Sequence, residues 1–358
     1  MIEGVCKSRL AWIKATGRGE VWTSSLRASV SYGTPIGHES PKLAQLSRFV
    51  DACPQVYAID NGVFYTDTPY HFSEDGIVFL DTVERYAISY AQSDVWHLAA
   101  KRRIKYSGTT AHIACHGYFN LSHFLSDFLP RYWLIKQSPF KVDRWLVPST
   151  LPDWGLDLLR LAGMRDTEML IGAPDTQIIA ERAVTADATG AATWPARWVR
   201  TAISELFPVF DEETRAKPIW LWISRSETTR RRWIQEGATI NEIRAAGFDV
   251  VRMEQLAVEE QIRLAQNSEV IAGPHGAGLS WVLLTARTRG LLFEVVDDTV
   301  VQNSFRALAG LVGWRYARTG ASILEAGEGN SVYEDITRES SVVMETLHEV
   351  LRPWKTDY

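Results

Sequence analysis

Two stretches of this chain set chemically capable side chains at spacings that bring them together. The first is His116-Gly-Tyr-Phe-Asn-Leu-Ser-His-Phe-Leu-Ser-Asp-Phe-Leu-Pro-Arg-Tyr-Trp-Leu-Ile135, in which Asn120, His123, Asp127 and Arg131 recur every three or four residues. On an α-helix that spacing makes one polar stripe, although Phe124, Leu125, Phe128, Leu129 and Tyr132 of the same element call for burial. A carboxylate four residues from an imidazole can orient it and raise its basicity, so Asp127 or His123 can act as a general base. A set of mutually satisfied polar side chains is the structural alternative. Pro130 removes one backbone hydrogen bond and should kink the helix or restart it.

The second stretch is Val270-Ile-Ala-Gly-Pro-His-Gly-Ala-Gly-Leu279, an apolar run that empties into a glycine loop. Glycines at 273, 276 and 278 let main-chain N–H groups approach a ligand closely. Leu279 to Thr285 reads as a helix whose amino terminus favours an anion, and His275 can hydrogen-bond phosphate or hydroxyl. A tight strand-to-helix turn with no ligand fits the same residues. The phosphate-binding P-loop is excluded because Leu279-Ser280 stands where Lys-Ser/Thr is required, and the dinucleotide fingerprint because Trp281 replaces its third glycine. Upstream, Ser224-Arg225 and Arg230-Arg231-Arg232 form a basic run. Such a run is usually a solvated face, but at the ligand end of a sheet guanidinium groups hold phosphate bidentately.

The elements that must position these residues alternate strand and helix. Short β-rich runs, Val56–Ile59, Val63–Tyr65 and Ile77–Leu80, are separated by the turn dipeptides Asn61-Gly62 and Asp75-Gly76 and read as small antiparallel hairpins. From Arg144 a βαβ rhythm suggests a parallel sheet. Pro208 to Pro218 is charged, proline-bounded and aperiodic, as an interdomain linker is. Beyond it Ile219–Ile223, Val250-Val251, Glu269–Ala272, Leu291–Val296 and Trp314–Ala317 read as strands, with helices at Trp233–Ala246, Val258–Asn267 and Asn303–Leu311. The chain therefore reads as α/β: residues 1–208 an α/β domain with an irregular amino-terminal extension, 219–330 a Rossmann-like domain, and 331–358 a helix returning to brace the first domain. In such sheets ligands gather at the carboxyl ends of the strands, where Ser224, Arg225, His275 and Glu294 fall.

Composition limits the partners. The 358 residues are 46% hydrophobic and 23% charged, as in an ordinary globular protein, and the net charge of −5 argues against nucleic acid. Cys6, Cys53 and Cys115 form no CxxC pair, which suits free thiols in a reducing compartment and implies no structural zinc. Met1 to Arg9 lacks the pattern of a secretory signal, and no window reaches about eighteen uninterrupted apolar residues, so a cytoplasmic location is expected. The 14 tryptophans suit core filling and, as a group, sugar stacking.

Three motifs taken together resemble glycosyltransferase family 61: His123-Phe-Leu-Ser-Asp127-Phe-Leu-Pro-Arg131; Ser224-Arg225 followed by Arg231-Arg232-Trp-Ile-Gln-Glu236; and Gly273-Pro-His-Gly-Ala-Gly-Leu279 with Glu294 on the next strand. The likeness runs from about residue 115 to 315, and within the family it is to the bacterial capsule-type members. The resemblance implies a GT-B architecture, two Rossmann-like domains facing across a cleft. It also implies inverting, metal-independent transfer of a hexosyl or pentosyl group from a nucleotide-sugar donor to a hydroxyl of a glycan or lipid-linked glycan acceptor, in polysaccharide biosynthesis. The donor diphosphate would lie against Ser224, Arg225, Arg231, Gly276, Ala277 and Gly278, with His275 on phosphate or ribose and Glu294 on a ribose hydroxyl. Asn120 and Arg131 would face the acceptor, and Asp127 or His123 would take its proton. No cofactor and no metal are expected, since arginines and amide N–H groups would neutralise the leaving group. A lipid-borne acceptor would bring the protein to the inner face of the membrane. A nucleotide-sugar epimerase or hydrolase, or a non-catalytic subunit of a polysaccharide assembly complex, is the alternative reading.

Overall fold

The computed structural model of the chain describes residues 4–26, 53–83, 95, 101–187, 189–191, 194–209, 218–297, 304–319 and 335–355. They divide into two compact α/β units, one built from residues up to Leu206 and the other from Phe207 onward. Most of the expected linker, residues 210–217, lies outside the described residues. Among the described residues no helix is long and apolar enough to cross a membrane.

The first unit holds a mixed nine-stranded sheet made of β1 (Gly4–Cys6), β2 (Gly19–Thr23), β3 (Gln55–Tyr65), β4 (His71–Phe72), β5 (Ile77–Phe79), β6 (Arg102–His112), β7 (Arg144–Val147), β8 (Met169–Ile171) and β9 (Thr176–Ala186), in the order β1-β5-β4-β3-β9-β6-β7-β8 with β2 added to β3. β9 joins two halves, antiparallel to β3 and parallel to β6. β7 and β8 continue the parallel half, Ala111 pairing with Trp145 and Leu146 with Leu170. Leu146 and Val147 are fully buried, as in a strand covered on both faces.

One expected hairpin is absent. Asn61-Gly62 sits inside the continuous strand β3, whose two halves both pair with β9. Asn61 takes a left-handed φ of 50°, and a Cβ on Gly62 would lie 2.4 Å from that of Ala183. Long cross-strand pairing thus overrides a strong local turn signal, and the glycine serves close packing. The other dipeptide does turn: Gly76, with φ 79°, donates its N–H to Ser73 between β4 and β5 (3.0 Å).

After the short hairpin β10 (Gly190–Ala191) and β11 (Trp194–Pro195), the second unit carries a fully parallel sheet. Its strands are β12 (Ile219–Ile223), β13 (Asp249–Val251), β14 (Ser268–Pro274), β15 (Leu291–Val295) and β16 (Arg315–Arg318), ordered β13-β12-β14-β15-β16. Every residue of β14 is buried, as befits the central strand. Crossover helices Glu236–Ala245, Val258–Asn267 and Ser304–Leu311 turn apolar faces to the sheet; Val258, Ile262 and Ala265 of the second recur at i, i+4 and i+7. Trp222, Trp233, Trp281 and Trp314 are fully buried here, so these four are core residues.

The last helix, Ser340–Lys355, differs from expectation. Its Val343, Leu347 and Leu351 are buried in one core with Trp222, Trp233 and Phe293, which assigns this helix to the second unit. An apolar stripe at this spacing goes wherever an uncovered sheet face lies nearest.

Candidate functional site

In the first unit, β6 ends at His112 and the chain passes through His116 and Gly117 into the helical segment that starts at Leu121. Asn120, expected on the acceptor side, is the N-cap residue, its Oδ1 accepting from the Ser122 N–H at 2.9 Å. The segment is not one α-helix. Leu121–His123 and Leu129–Gln137 are α-helical, but Phe124–Phe128 between them is a π-turn, the Leu129 N–H donating five residues back to Phe124. Pro130 explains it: it has no N–H, and its ring crowds the carbonyl four residues earlier. That carbonyl, on Ser126, accepts instead from Thr189 Oγ1 at 2.7 Å.

The wider turn breaks the expected single polar stripe. Asp127 is 0% exposed. It receives Arg131 Nε at 2.9 Å and Nη2 at 3.3 Å, and on Oδ1 the Thr189 N–H at 3.2 Å and hydroxyl at 3.0 Å. Arg131 also reaches the Ala114 carbonyl (3.4 Å) and is buried. His123, by contrast, is half-buried. Its ring lies against Gly117, where a Cβ would come within 3.1 Å of Cδ2 and where φ is +75°. In the same unit, His71 Nε2 and His112 Nδ1 are 3.1 Å apart. Burial pushes both imidazoles below their ordinary range, with Arg131 adding to the effect and His112 brought to about 3. Both are therefore neutral at physiological pH.

In the second unit the candidate residues converge at the carboxyl ends of β12, β14 and β15. Ser224 is buried, and its Oγ lies 3.2 Å from the Ser226 hydroxyl. Arg225 folds over the glycine loop: a Cβ on Gly276 would meet its Nη1 at 2.3 Å. The guanidinium is held by carbonyls alone, Nε donating to Arg231 O (3.2 Å) and Nη2 to Arg230 O (2.9 Å). It has no ion-pair partner among the described residues. Burial, then the neighbouring Arg231 charge, lowers its pKa to about 10, so it remains a cation at neutral pH.

Arg231 carries a left-handed φ of 57°, a conformation costing a non-glycine residue about 1–3 kcal/mol. That conformation is the one in which its carbonyl meets Arg225. Arg232 is instead paired with Asp335 (2.6 Å). Sequence reasoning missed the role of Glu236: buried at the start of its helix, it accepts from Trp222 Nε1 (2.8 Å) and from the Arg225 N–H (3.1 Å), fixing the backbone from which Arg225 extends.

His275 follows β14, its N–H donating to Val295 O at 2.9 Å. It is 3% exposed, and its Nδ1 pairs with Glu294. The other Glu294 oxygen accepts from the Tyr316 hydroxyl. Burial alone would raise the Glu294 pKa, but His275, Arg318 and Tyr316 hold it below the usual carboxylate range. With one partner on each oxygen and the residue buried, Glu294 holds the His275 ring in place. Tyr316 also went unrecognised in the sequence; it sits on β16 diagonal to Glu294, on the same face of the sheet. Ala277 and Gly278 open a 3₁₀ helix, Ala277–Leu284, two residues ahead of the helix start expected at Leu279.

Gly273 is required for packing: a Cβ there would stand 2.5 Å from Ile223 O, a backbone atom that cannot swing aside. Gly273→Ala is expected to destabilise the protein by about 1–3 kcal/mol. The check is thermal unfolding, where each kcal/mol shifts the midpoint by about 2–4 °C in a unit of this size. An unchanged midpoint would show that β12 and β14 are free to separate at this end.

Among the described residues no group of three or more His, Cys, Asp and Glu side chains is placed to hold a metal ion. No curated protein matches the chain. Residues 121–292, from the start of the His123 segment to the second residue of β15, match the family model Glycosyltransferase 61, which supports placing the chain with that family and indicates a glycosyltransferase.

Proposed function

We propose that this chain is an inverting, metal-independent glycosyltransferase of GT-B type. It moves a hexosyl or pentosyl group from a nucleoside-diphosphate donor to a hydroxyl of a glycan or lipid-linked glycan, in polysaccharide biosynthesis of capsule type. The observation that carries the reading is Arg225: a half-buried cation with no ion-pair partner among the described residues, laid on Gly276 beside Arg231. Two adjacent guanidinium groups repel each other, and a diphosphate relieves that repulsion while accepting their hydrogen bonds. Ser224 and the amides of Gly276, Ala277 and Gly278 complete the donor site, and His275, oriented by Glu294, faces phosphate or ribose.

In the reaction, His123 takes the proton of the acceptor hydroxyl as its oxygen bonds to the anomeric carbon. The bond from that carbon to the diphosphate oxygen breaks, configuration inverts, and the arginines receive the charge of the departing nucleoside diphosphate. Asp127, closed in by Arg131 and Thr189, is the positioning residue of this pair and His123 the base. Asn120 shapes the acceptor side as the helix cap, and Arg131 through its hold on Asp127. No cofactor enters. A lipid-borne acceptor draws the protein to the inner face of the membrane from the cytoplasm.

Arg225→Ala is expected to weaken uridine diphosphate binding by about 1.5–3 kcal/mol, as for a lost hydrogen bond to a charged group. Calorimetry on the two proteins measures this, and equal affinities would refute the donor site. Transfer is expected to survive EDTA treatment, because the leaving charge is neutralised by protein groups. Activity abolished by EDTA and restored by Mg²⁺ would overturn that part of the mechanism.

A further inference from the structure

The first unit contains a cavity of about 380 Å³ that the transfer reaction does not use. It is lined by Tyr132, Lys136, Phe140, Trp145, Arg165 and Glu168, among others. These residues gather where β7 and β8 begin: Phe140 and Trp145 before and within the start of β7, Arg165 and Glu168 just ahead of β8, and Tyr132 and Lys136 on the last turns of helix Leu129–Gln137. His123 follows the opposite, carboxyl end of β6, so the cavity and the proposed base occupy opposite edges of the parallel strands. Its volume lies in the range of small-molecule sites.

The floor is aromatic. The Tyr132 and Trp145 rings meet edge to face at 4.7 Å and are 1% and 5% exposed. Among the described residues nothing pairs with Tyr132 Oη or Trp145 Nε1, and neither atom is among the polar atoms sealed from solvent. Both therefore keep contact with solvent on residues that line the cavity, and an apolar occupant would strip them of water without replacing its hydrogen bonds. Burial, then the Glu168 charge, pushes the Tyr132 phenol up to about 12, so the hydroxyl keeps its proton at physiological pH. At the mouth the Lys136 ammonium stands 5.1 Å over the Tyr132 ring with no ion-pair partner among the described residues. Glu168 is already taken by the Arg165 side chain and N–H (3.2 Å). The hydrogen-bonding capacity that no protein group uses is thus a hydroxyl and an indole N–H over an apolar wall, and Lys136 and Arg165 against the one carboxylate of Glu168, which attracts both, leave the lining net positive.

We propose that this cavity binds a single sugar residue carrying a carboxylate, its hydroxyls on Tyr132 Oη and Trp145 Nε1 and its carboxylate on Lys136. The site holds an acidic acceptor glycan at a residue remote from the hydroxyl that reacts. The choice of a sugar among hydroxylated anions rests on the transferase reading; the polarity and charge of the site do not.

The test is saturation-transfer NMR and calorimetry on the full chain with methyl β-D-glucuronide and methyl β-D-glucoside, and in parallel with uridine diphosphate. The glucuronide is expected to bind in preference to the glucoside. Y132F, which removes only a hydroxyl without a protein partner, and K136Q are each expected to weaken the glucuronide roughly threefold to tenfold and leave uridine diphosphate binding unchanged. Failure of the glucuronide to bind, equal binding of the glucoside, or indifference to both substitutions overturns the proposal. If uridine diphosphate still binds in that case, the transferase reading stands without it. Glucuronide binding through Tyr132 and Lys136 in a protein that ignores uridine diphosphate upholds the cavity and sinks the donor site instead.

Discussion

His123→Ala is expected to cut turnover by on the order of 10²–10⁴-fold, the range of general-base catalysis, with uridine diphosphate affinity unchanged. His123 is the half-buried member of the proposed acid–base pair, whereas Asp127 is enclosed by Arg131 and Thr189. A base must reach the proton it takes, and only a group with open volume in front of it admits an acceptor hydroxyl. A thermal-shift panel of nucleotide sugars identifies the donor, since a ligand bound to the native state stabilises it. Steady-state transfer with that donor then compares the two proteins. Near-normal turnover in the variant would remove His123 from the chemistry.

Asp127→Ala is expected to lower folding stability by about 3–5 kcal/mol, as when one partner of a buried ion pair is deleted. The Arg131 guanidinium would be left buried without its carboxylate, and the Thr189 N–H would lose its acceptor, while the Thr189 hydroxyl would keep the Ser126 carbonyl. Asp127→Asn keeps the shape but not the charge, so its loss is expected to be smaller and in the same direction. Urea unfolding measures both as a fall in the midpoint at constant slope. If the asparagine variant unfolds with the native protein but transfers no sugar, Asp127 acts in the chemistry and not as an anchor.

How much of this was legible beforehand differs from element to element. The second unit was largely readable, because a parallel strand buried on both faces is a continuous apolar run and β14 and β15 are such runs. The residues at the carboxyl edge of this sheet were readable for the same reason: Ser224, Arg225, His275 and Gly276 each follow directly on an apolar run. What failed was anything set by long-range geometry. Thr189 reaches Asp127 across 62 residues of sequence, and no local pattern announces it. Glu236 appeared only as the last residue of a motif, and its grip on the Arg225 amide depends on where β12 ends. Asn61-Gly62 misled because turn propensity is local while the pairing of β3 with β9 is not. The last stretch was read as a helix, but helical spacing does not say which core it joins.

The π-turn at Phe124–Phe128 has a consequence for how this segment can vary. It holds one residue more than a regular turn, so its length acts as an angular setting between His123 and the Asp127–Arg131 pair. Excising a single residue there would restore ordinary pitch and swing everything before it by about 100° about the axis. The imidazole would then face a different direction with every side chain chemically intact. Point substitutions test what His123 does; only a change of length tests where it must aim.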